Sequence, residues 1–402
     1  MACKICIITS LHLSSNPRVW KEANSLAEAG YEVVILTNWV SQVSKNKDSS
    51  FIQHANISYK ASVSLLPGEI GSLQRFYNRA RVKISRGLKK YIGFESVWLL
   101  GHAPGLMFSN ALAEQADLYI AHTEFGIAVG KKLLAQGRKV AFDLEDWYSR
   151  DYLVPERPVA LLVSLEKFAI ENGAYCSCPS QAMATGLQEA YPGAKTIHVI
   201  YNGFSINENA VITNEKYTGF SLIWFSQTIG PGRGLETAIE ALQNIDKSVE
   251  LHLVGNCLPG YDEALKNLFP YTKGHTLFIH TSVRHDELIY VLSKHTVGLA
   301  IENDFPDNKD KTISNKILQY IQAGIKVLAT NTAGQKEVAA YFKDSIVLVS
   351  VNDPNQWARS IEILMQSSEI DLQLQFRKFN DFFSWEAQEK KLLELVEKAL
   401  HD

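Results

Sequence analysis

Nine residues, Ser226-Gln227-Thr228-Ile229-Gly230-Pro231-Gly232-Arg233-Gly234, join an apolar run ending at Phe225 to a helical pattern opening at Leu235. Gly230 and Gly232 let a backbone come close to a ligand, a helix start offers unpaired N–H groups, and Arg233 adds a fixed cation, so the segment has the means to hold a phosphate. It is neither a Walker A loop nor a complete dinucleotide fingerprint, and a tight strand-to-helix turn has the same composition. Further on, Thr312 to Gly324 reads as a short helix with Ser314 as its cap and glycine after its end. Asn315 and Lys316 fall in its first turn, where the helix dipole opposes a lysine; the ammonium therefore turns to solvent or meets an anion. A third set, Asp143-Leu144-Glu145-Asp146, follows an apolar strand. A carboxylate at a strand end can take a proton or a hydrogen bond from a substrate hydroxyl, which makes Glu145 the candidate acid–base group. Asp146 and His122, the latter at another strand end, compete for that role. No second histidine lies at a ligand spacing from His122, so it reads as polar lining rather than a metal ligand.

Short β-rich runs alternate with helical patterns along the chain, the grammar of parallel sheets with crossover helices, and this predicts an α/β protein. Lys4 to Thr9 is the first strand. Asn16 caps the next helix, Pro17 takes its first position, Gly30 follows its end, and Val19, Ala23, Leu26 and Ala27 form its buried stripe. Strands are then predicted at Tyr31–Thr37, Asp117–Ala121, Lys139–Asp143, Tyr175–Cys178 and Thr196–Tyr201. Asn202 to Thr218 is polar and aperiodic, as a linker would be. Beyond it a second series runs through Ser221–Phe225, Glu250–Val254, Thr276–His280, Val297–Ile301, Lys326–Ala329 and Ile346–Val349, with a last helix near Trp385–Leu400. The division expected is a first Rossmann-like domain at 1–205, a linker at 206–219, a second Rossmann-like domain at 220–380 and a C-terminal helix at 381–402 that crosses back to the first domain. Two such halves face a cleft with the carboxyl ends of both sheets, the usual place for a nucleotide-bearing ligand.

The chain has 402 residues, enough for two to three domains, and 46% of them are apolar, so sizeable cores can form. Forty basic residues against 43 acidic ones give a net charge of −3, which argues against nucleic acid as a partner and leaves only a local patch for anionic surfaces. The five cysteines, Cys3, Cys6, Cys176, Cys178 and Cys257, lack a zinc-site spacing and are expected as thiols in a reducing cytoplasm. The opening residues run straight into a strand without a leader pattern, and no run reaches the length of a membrane span.

Taken in order, these residues resemble the retaining glycosyltransferases of family 4, the group 1 enzymes, which have the two-domain GT-B fold. Asn16-Pro17-Arg18-Val19-Trp20-Lys21-Glu22-Ala23 with Leu26 to Val33 looks like the family's opening loop and first helix, and Ile200-Tyr201-Asn202-Gly203 like the end of its first domain. Arg233-Gly234-Leu235, Leu253-Val254-Gly255, Asn315-Lys316 with Tyr320, and Ala323-Gly324 with Val327 resemble its donor-domain landmarks. The resemblance implies transfer of a sugar from a nucleotide-sugar donor held by the second domain to a glycan or lipid-linked acceptor held by the first, with retention and without a required cofactor. It places Gly230, Gly232, Arg233, Glu302, Asn315, Lys316 and Gln319 on the donor side, and Asn16 and Arg18 on the acceptor side. At the place of Glu145 the family often has a histidine beside an acidic residue, here Asp146.

The sequence also departs from that pattern. Family members often carry two glutamates separated by seven residues; here that spacing falls on Lys311 and Gln319. Gln319 can still bond ribose hydroxyls, while Glu302 serves the sugar only if the Asn303–Thr312 loop folds back. The arginine common before the glycine loop is replaced near Gln227. Two rival readings follow: a nucleotide-sugar epimerase of similar architecture, and a silent member that binds nucleotide sugar without turnover. Asp143 to Asp146 superficially resembles the metal-binding acidic motif of the GT-A fold, but two Rossmann-like halves do not match that fold.

Between Ile70 and Phe94 there is no acidic residue and there are seven basic ones, Arg75, Arg79, Arg81, Lys83, Arg86, Lys89 and Lys90. On a helix, Arg75, Arg79, Lys83, Arg86 and Lys90 share roughly an 80° arc. Leu73, Tyr77, Ile84, Leu88, Tyr91 and Ile92 lie opposite; the helix is expected either to pack into the core with its basic face in solvent or to form a surface that meets anionic lipid, at the inner membrane face, or a phosphate-linked acceptor.

Overall fold

The computed structural model describes residues 3–69, 71–151, 156–206 and 215–401. Of the expected linker, 207–214 lie outside the described residues. The chain forms two compact units: residues 1–179, 183–200 and 389–402 in the first, and 180–182 with 201–388 in the second.

The first unit is built on a seven-stranded parallel sheet of β1 (Lys4–Ile8), β2 (Glu32–Trp39), β3 (Ile57–Ser64), β4 (Leu118–His122), β5 (Val140–Asp143), β6 (Cys176–Cys178) and β7 (Ile197–Val199), in the order β3-β2-β1-β4-β5-β6-β7. Its central strands are apolar throughout because helices cover both faces; Ile5, Cys6, Ile7 and Ile8 are wholly buried. The five cysteines are thiols, with Cys6, Cys176 and Cys178 buried in strands. The Pro17–Glu28 helix begins as expected, with the Asn16 side chain accepting from the Val19 N–H and proline in the first turn. Its expected apolar stripe is buried, and so are Arg18 and Glu22.

The second unit has a six-stranded parallel sheet of β8 (Ser221–Ile229), β9 (Glu250–Cys257), β10 (Thr276–His280), β11 (Val297–Ala300), β12 (Lys326–Thr330) and β13 (Ile346–Val349), ordered β10-β9-β8-β11-β12-β13. A separate core around Trp224 and Trp357, both wholly buried, holds it. The last helix, Trp385–His401, buries Leu392, Val396 and Ala399, and its residues from Glu389 onward belong to the first unit. Lys139 there donates to the Leu400 carbonyl at 2.8 Å, satisfying a helix-end acceptor with a cation.

Three elements differ from expectation. The strand β3 lies in a stretch that reads as merely polar, because an edge strand needs few apolar residues. The segment Ser226–Ile229 is not loop: β8 continues through it, with a register shift between Phe225 and Thr228 against β9. Gly255 makes that irregularity possible, since a Cβ there would lie 2.3 Å from the Ser226 carbonyl oxygen. Finally, the helix Ser72–Ile92 exposes the apolar side chains that one reading of the sequence sends to the core.

Candidate functional site

In a doubly wound sheet, ligands bind beyond the carboxyl ends of the strands where the order reverses. Each unit has such a point, between β1 and β4 in the first and between β8 and β11 in the second.

At the first, His122 ends β4 and Asp143 ends β5, side by side in the sheet. The imidazole is wholly buried, with Nε2 3.0 Å from Glu22 and Nδ1 2.9 Å from Glu145 Oε1. Burial works against charging this ring, but the two carboxylates, Glu22 foremost, overcome it and raise its pKa to about 10. His122 is therefore an imidazolium at neutral pH, donating to both acids. Arg18 donates through Nε and Nη2 to the two oxygens of Asp143 at 2.8 and 2.7 Å, and through Nη1 to the Ile200 carbonyl at 2.6 Å. Ser177 donates to the same Asp143 carboxylate at 2.6 Å. These bonds hold the Asp143 carboxyl below its ordinary range despite burial.

Glu145 stands at the outer edge of this network. Asn16 Nδ2, at 2.7 Å, and His122 both meet its Oε1, leaving Oε2 on a side chain that is 16% exposed. Asn16 thus caps its helix and orients Glu145 at once. Asp146, its neighbour, is also partly exposed. Arg18, expected on the acceptor side, is bidentate to Asp143 and 6% exposed. Glu22, His122 and Asp143 place candidate ligand atoms within 4.8 Å of one another, with both Asp143 oxygens accepting from Arg18.

Beside His122 the backbone is strained. Thr123 opens the Thr123–Leu134 helix at φ 64°, a left-handed conformation that β-branched residues rarely adopt. Gly126 lets that helix close on the sheet, for a Cβ would lie 2.9 Å from the Ile8 carbonyl at the end of β1. Strain of this kind costs about 1–3 kcal/mol and concentrates at working sites. Neither Glu22 nor Thr123 is singled out by the sequence, although Glu22, one turn after Arg18 on a buried stripe, carries a spacing that could have shown an internal pair.

At the second switch point, Gly230 to Gly234 connects β8 to the Leu235–Leu242 helix. A Cβ at Gly234, whose φ is 73°, would lie 2.5 Å from the Ile301 side chain, so glycine alone brings the helix start against β11. Gly232, also at positive φ, faces open space. Arg233 is exposed and has no hydrogen-bond or ion-pair partner among the described residues.

Glu302, just past β11, has its backbone bracketed by the Thr330 hydroxyl, which accepts from its N–H and donates to its carbonyl. Its carboxylate accepts from Lys316 Nζ at 2.9 Å and from Ser314 Oγ at 2.8 Å. Burial would raise this carboxyl's pKa, but the ammonium and hydroxyl reverse the effect and hold it below the usual range. Lys316 is thus at a helix start because an anion meets it there, and Ser314 spends its hydroxyl on Glu302 rather than on a cap. The Asn303–Thr312 segment does fold back, through the short Asp307–Lys311 helix. Asn315 is exposed, while Gln319, one turn on from Lys316, is 5% exposed. Tyr320 fixes the helix carrying them: its ring covers Gly298, where a Cβ would lie 2.2 Å away, and its hydroxyl donates to the Ile223 carbonyl at 3.1 Å.

Residues 220–367 match the family model described as glycosyl transferases group 1. The fold is that of solved two-domain structures at low identity. A sucrose-phosphate synthase from Thermosynechococcus elongatus superposes with a TM-score of 0.68 at 15% identity, covering 99% of each chain. A glycosyltransferase from Rickettsia africae gives 0.67 at 14%, over 100% of this chain and 99% of that one. Anabaena HepE, in complex with UDP and glucose, gives 0.64 at 17%, over 98% and 99%. No curated protein sequence matches the chain. The protein has the GT-B fold, as its sequence resemblance implies. The segment that matches the group 1 glycosyl transferase model lies within its second unit.

Proposed function

We propose that the protein moves a sugar from a nucleoside diphosphate sugar to a hydroxyl of a glycan or lipid-linked acceptor, with retention at the anomeric carbon and without a metal. The observation that supports it most is the unpartnered Arg233 on a glycine loop at a switch point, inside the segment that matches the group 1 glycosyl transferases. The diphosphate lies on the N–H groups of Gly230, Gly232, Arg233 and Gly234 with the Arg233 guanidinium on its oxygens, Lys316 shares its proton donors between Glu302 and the leaving phosphate, and Gln319 and Asn315 serve the nucleoside side. The bond from the anomeric carbon to the diphosphate oxygen breaks, that oxygen leaves with the electron pair, and the acceptor oxygen takes its place. Positive charge on the loop stabilises the leaving diphosphate, the main electrostatic demand of the step. Glu145, presenting Oε2, receives the proton or hydrogen bond of the acceptor hydroxyl; His122, already protonated, positions it and is not the base. Asp146 is the neighbouring carboxylate for the same acceptor.

The test is a thermal-shift screen of uridine, guanosine and adenosine diphosphate sugars, uridine first because HepE holds UDP, followed by product analysis with the stabilising donor. Stabilisation together with acceptor-dependent release of nucleoside diphosphate is expected. An altered sugar nucleotide formed without acceptor would make the protein an epimerase instead, and binding with neither transfer nor hydrolysis would make it a silent binder.

A further inference from the structure

The Ser72–Ile92 helix is turned inside out for a soluble protein. The side chains it buries include Asn78 and Ser85, the latter accepting a hydrogen bond from Ser96 at 3.1 Å. The side chains it exposes include Leu73 (84%), Phe76 (72%), Ile84 (58%), Tyr91 (81%) and Ile92 (71%). An exposed apolar stripe of this length marks a surface that something else covers. Its flank says what. At 100° per residue, Arg79, Lys83, Arg86 and Lys90, all exposed, share roughly a 60° arc directly beside the apolar one. No acidic residue occurs from Ile70 to Phe94, so nothing on the helix offsets those charges. Lys89, which faces inward, pairs with Glu95, and Arg81 lies over the Tyr77 and Trp98 rings.

Apolar and aromatic side chains outward, cations along one edge and a polar face toward the protein are the requirements for a helix lying in the plane of a bilayer, the rings and aliphatic chains among the acyl chains and the cations at the phosphates. None of the described helices is long and apolar enough to cross a membrane, so the contact is peripheral. We propose that this helix docks the protein on an anionic lipid bilayer. A second copy of the chain is a poorer occupant, because an antiparallel pair of these helices would bring two uncompensated cationic edges together. The proposal stands whatever sugar the protein moves.

Flotation of the full chain with vesicles tests it. With equimolar phosphatidylglycerol and phosphatidylcholine the protein is expected to float, with phosphatidylcholine alone to remain below, and inorganic phosphate at matched ionic strength is not expected to release it. Each cation near an anionic surface is worth about fivefold in partitioning, so the triple variant R79E/K83E/R86E is expected to partition about 100-fold less. The variant L73S/F76S/Y91S keeps the cations and is expected to bind only at low salt, where attraction alone suffices. All these side chains are exposed, so both variants should unfold at the parent's temperature, which serves as the folding control. Failure of the parent protein to float at low salt, equal binding to both vesicles, or release by inorganic phosphate would overturn the proposal. So would a dimer in sedimentation that the apolar variant dissociates and that does not float.

Discussion

The two switch points solve one problem in opposite ways. At the first, five charged side chains, Arg18, Glu22, His122, Asp143 and Glu145, are packed together with every charge but the outermost buried. At the second, one ion pair, Lys316 with Glu302, is partly open, and Arg233 stands in solvent. The first can hold a carboxylate in one orientation but has little to offer a newcomer. The second has charge to spare for an incoming anion. Pre-organisation and vacancy are separated between the units, and this separation is what mutation can break.

The largest effect is expected at the buried pair. Arg18→Ala leaves Asp143 and Glu22 without their cation and should destabilise the first unit by roughly 3–5 kcal/mol in urea unfolding, the usual result of orphaning a buried charge. A loss below about 1 kcal/mol would show that the network is solvated. Glu145→Gln should lower turnover about 10²–10⁴-fold with donor affinity within about twofold, measured on one folded preparation. Near-normal turnover would shift the role to Asp146.

The two sites should also respond to pH with opposite sign. For His122 the folded pKa is raised, from an ordinary 6.5 to about 10, so its contribution to stability is complete below pH 6.5 and is lost as pH rises through 10. Chemical denaturation from pH 6.5 to 10 should show a fall of order a few kcal/mol that His122→Gln flattens. For Glu302 the folded pKa is depressed, so its contribution is present above the ordinary carboxylate pKa and is lost as pH falls through the folded value. Smallest in total is Arg233→Ala, which should leave stability within about 0.5 kcal/mol and weaken nucleoside diphosphate binding by roughly 1.5–3 kcal/mol, the nucleoside alone being less affected. Calorimetric titration with both ligands separates these, and unchanged diphosphate affinity would remove Arg233 from the donor site.

Much of the scaffold was legible because it depends on local pattern. The helix at Leu235–Leu242 and the strands at Thr276–His280 and Ile346–Val349 lie where apolar runs and glycine punctuation place them. What was hidden depends on partners far away in the chain. Arg18 could not be assigned to the interior without Asp143, 125 positions on, and the anion that answers Lys316 sits 14 residues earlier across a loop. The Ser72–Ile92 helix makes the same point differently: periodicity shows that a helix has two faces but not which of them the rest of the protein covers.

The ring of Tyr320 over Gly298 carries a consequence for descent. No side chain fits at 298 while the ring is present, and a smaller residue at 320 would leave a void beneath the strand and free the hydroxyl's two carbonyl partners, Ile223 and Leu299. The two positions therefore form one heritable unit. Among related chains, a replacement of Gly298 by a larger residue should be accompanied by loss of the aromatic ring at 320, and a chain with the ring but without the glycine should have moved the helix that carries Lys316 and Gln319.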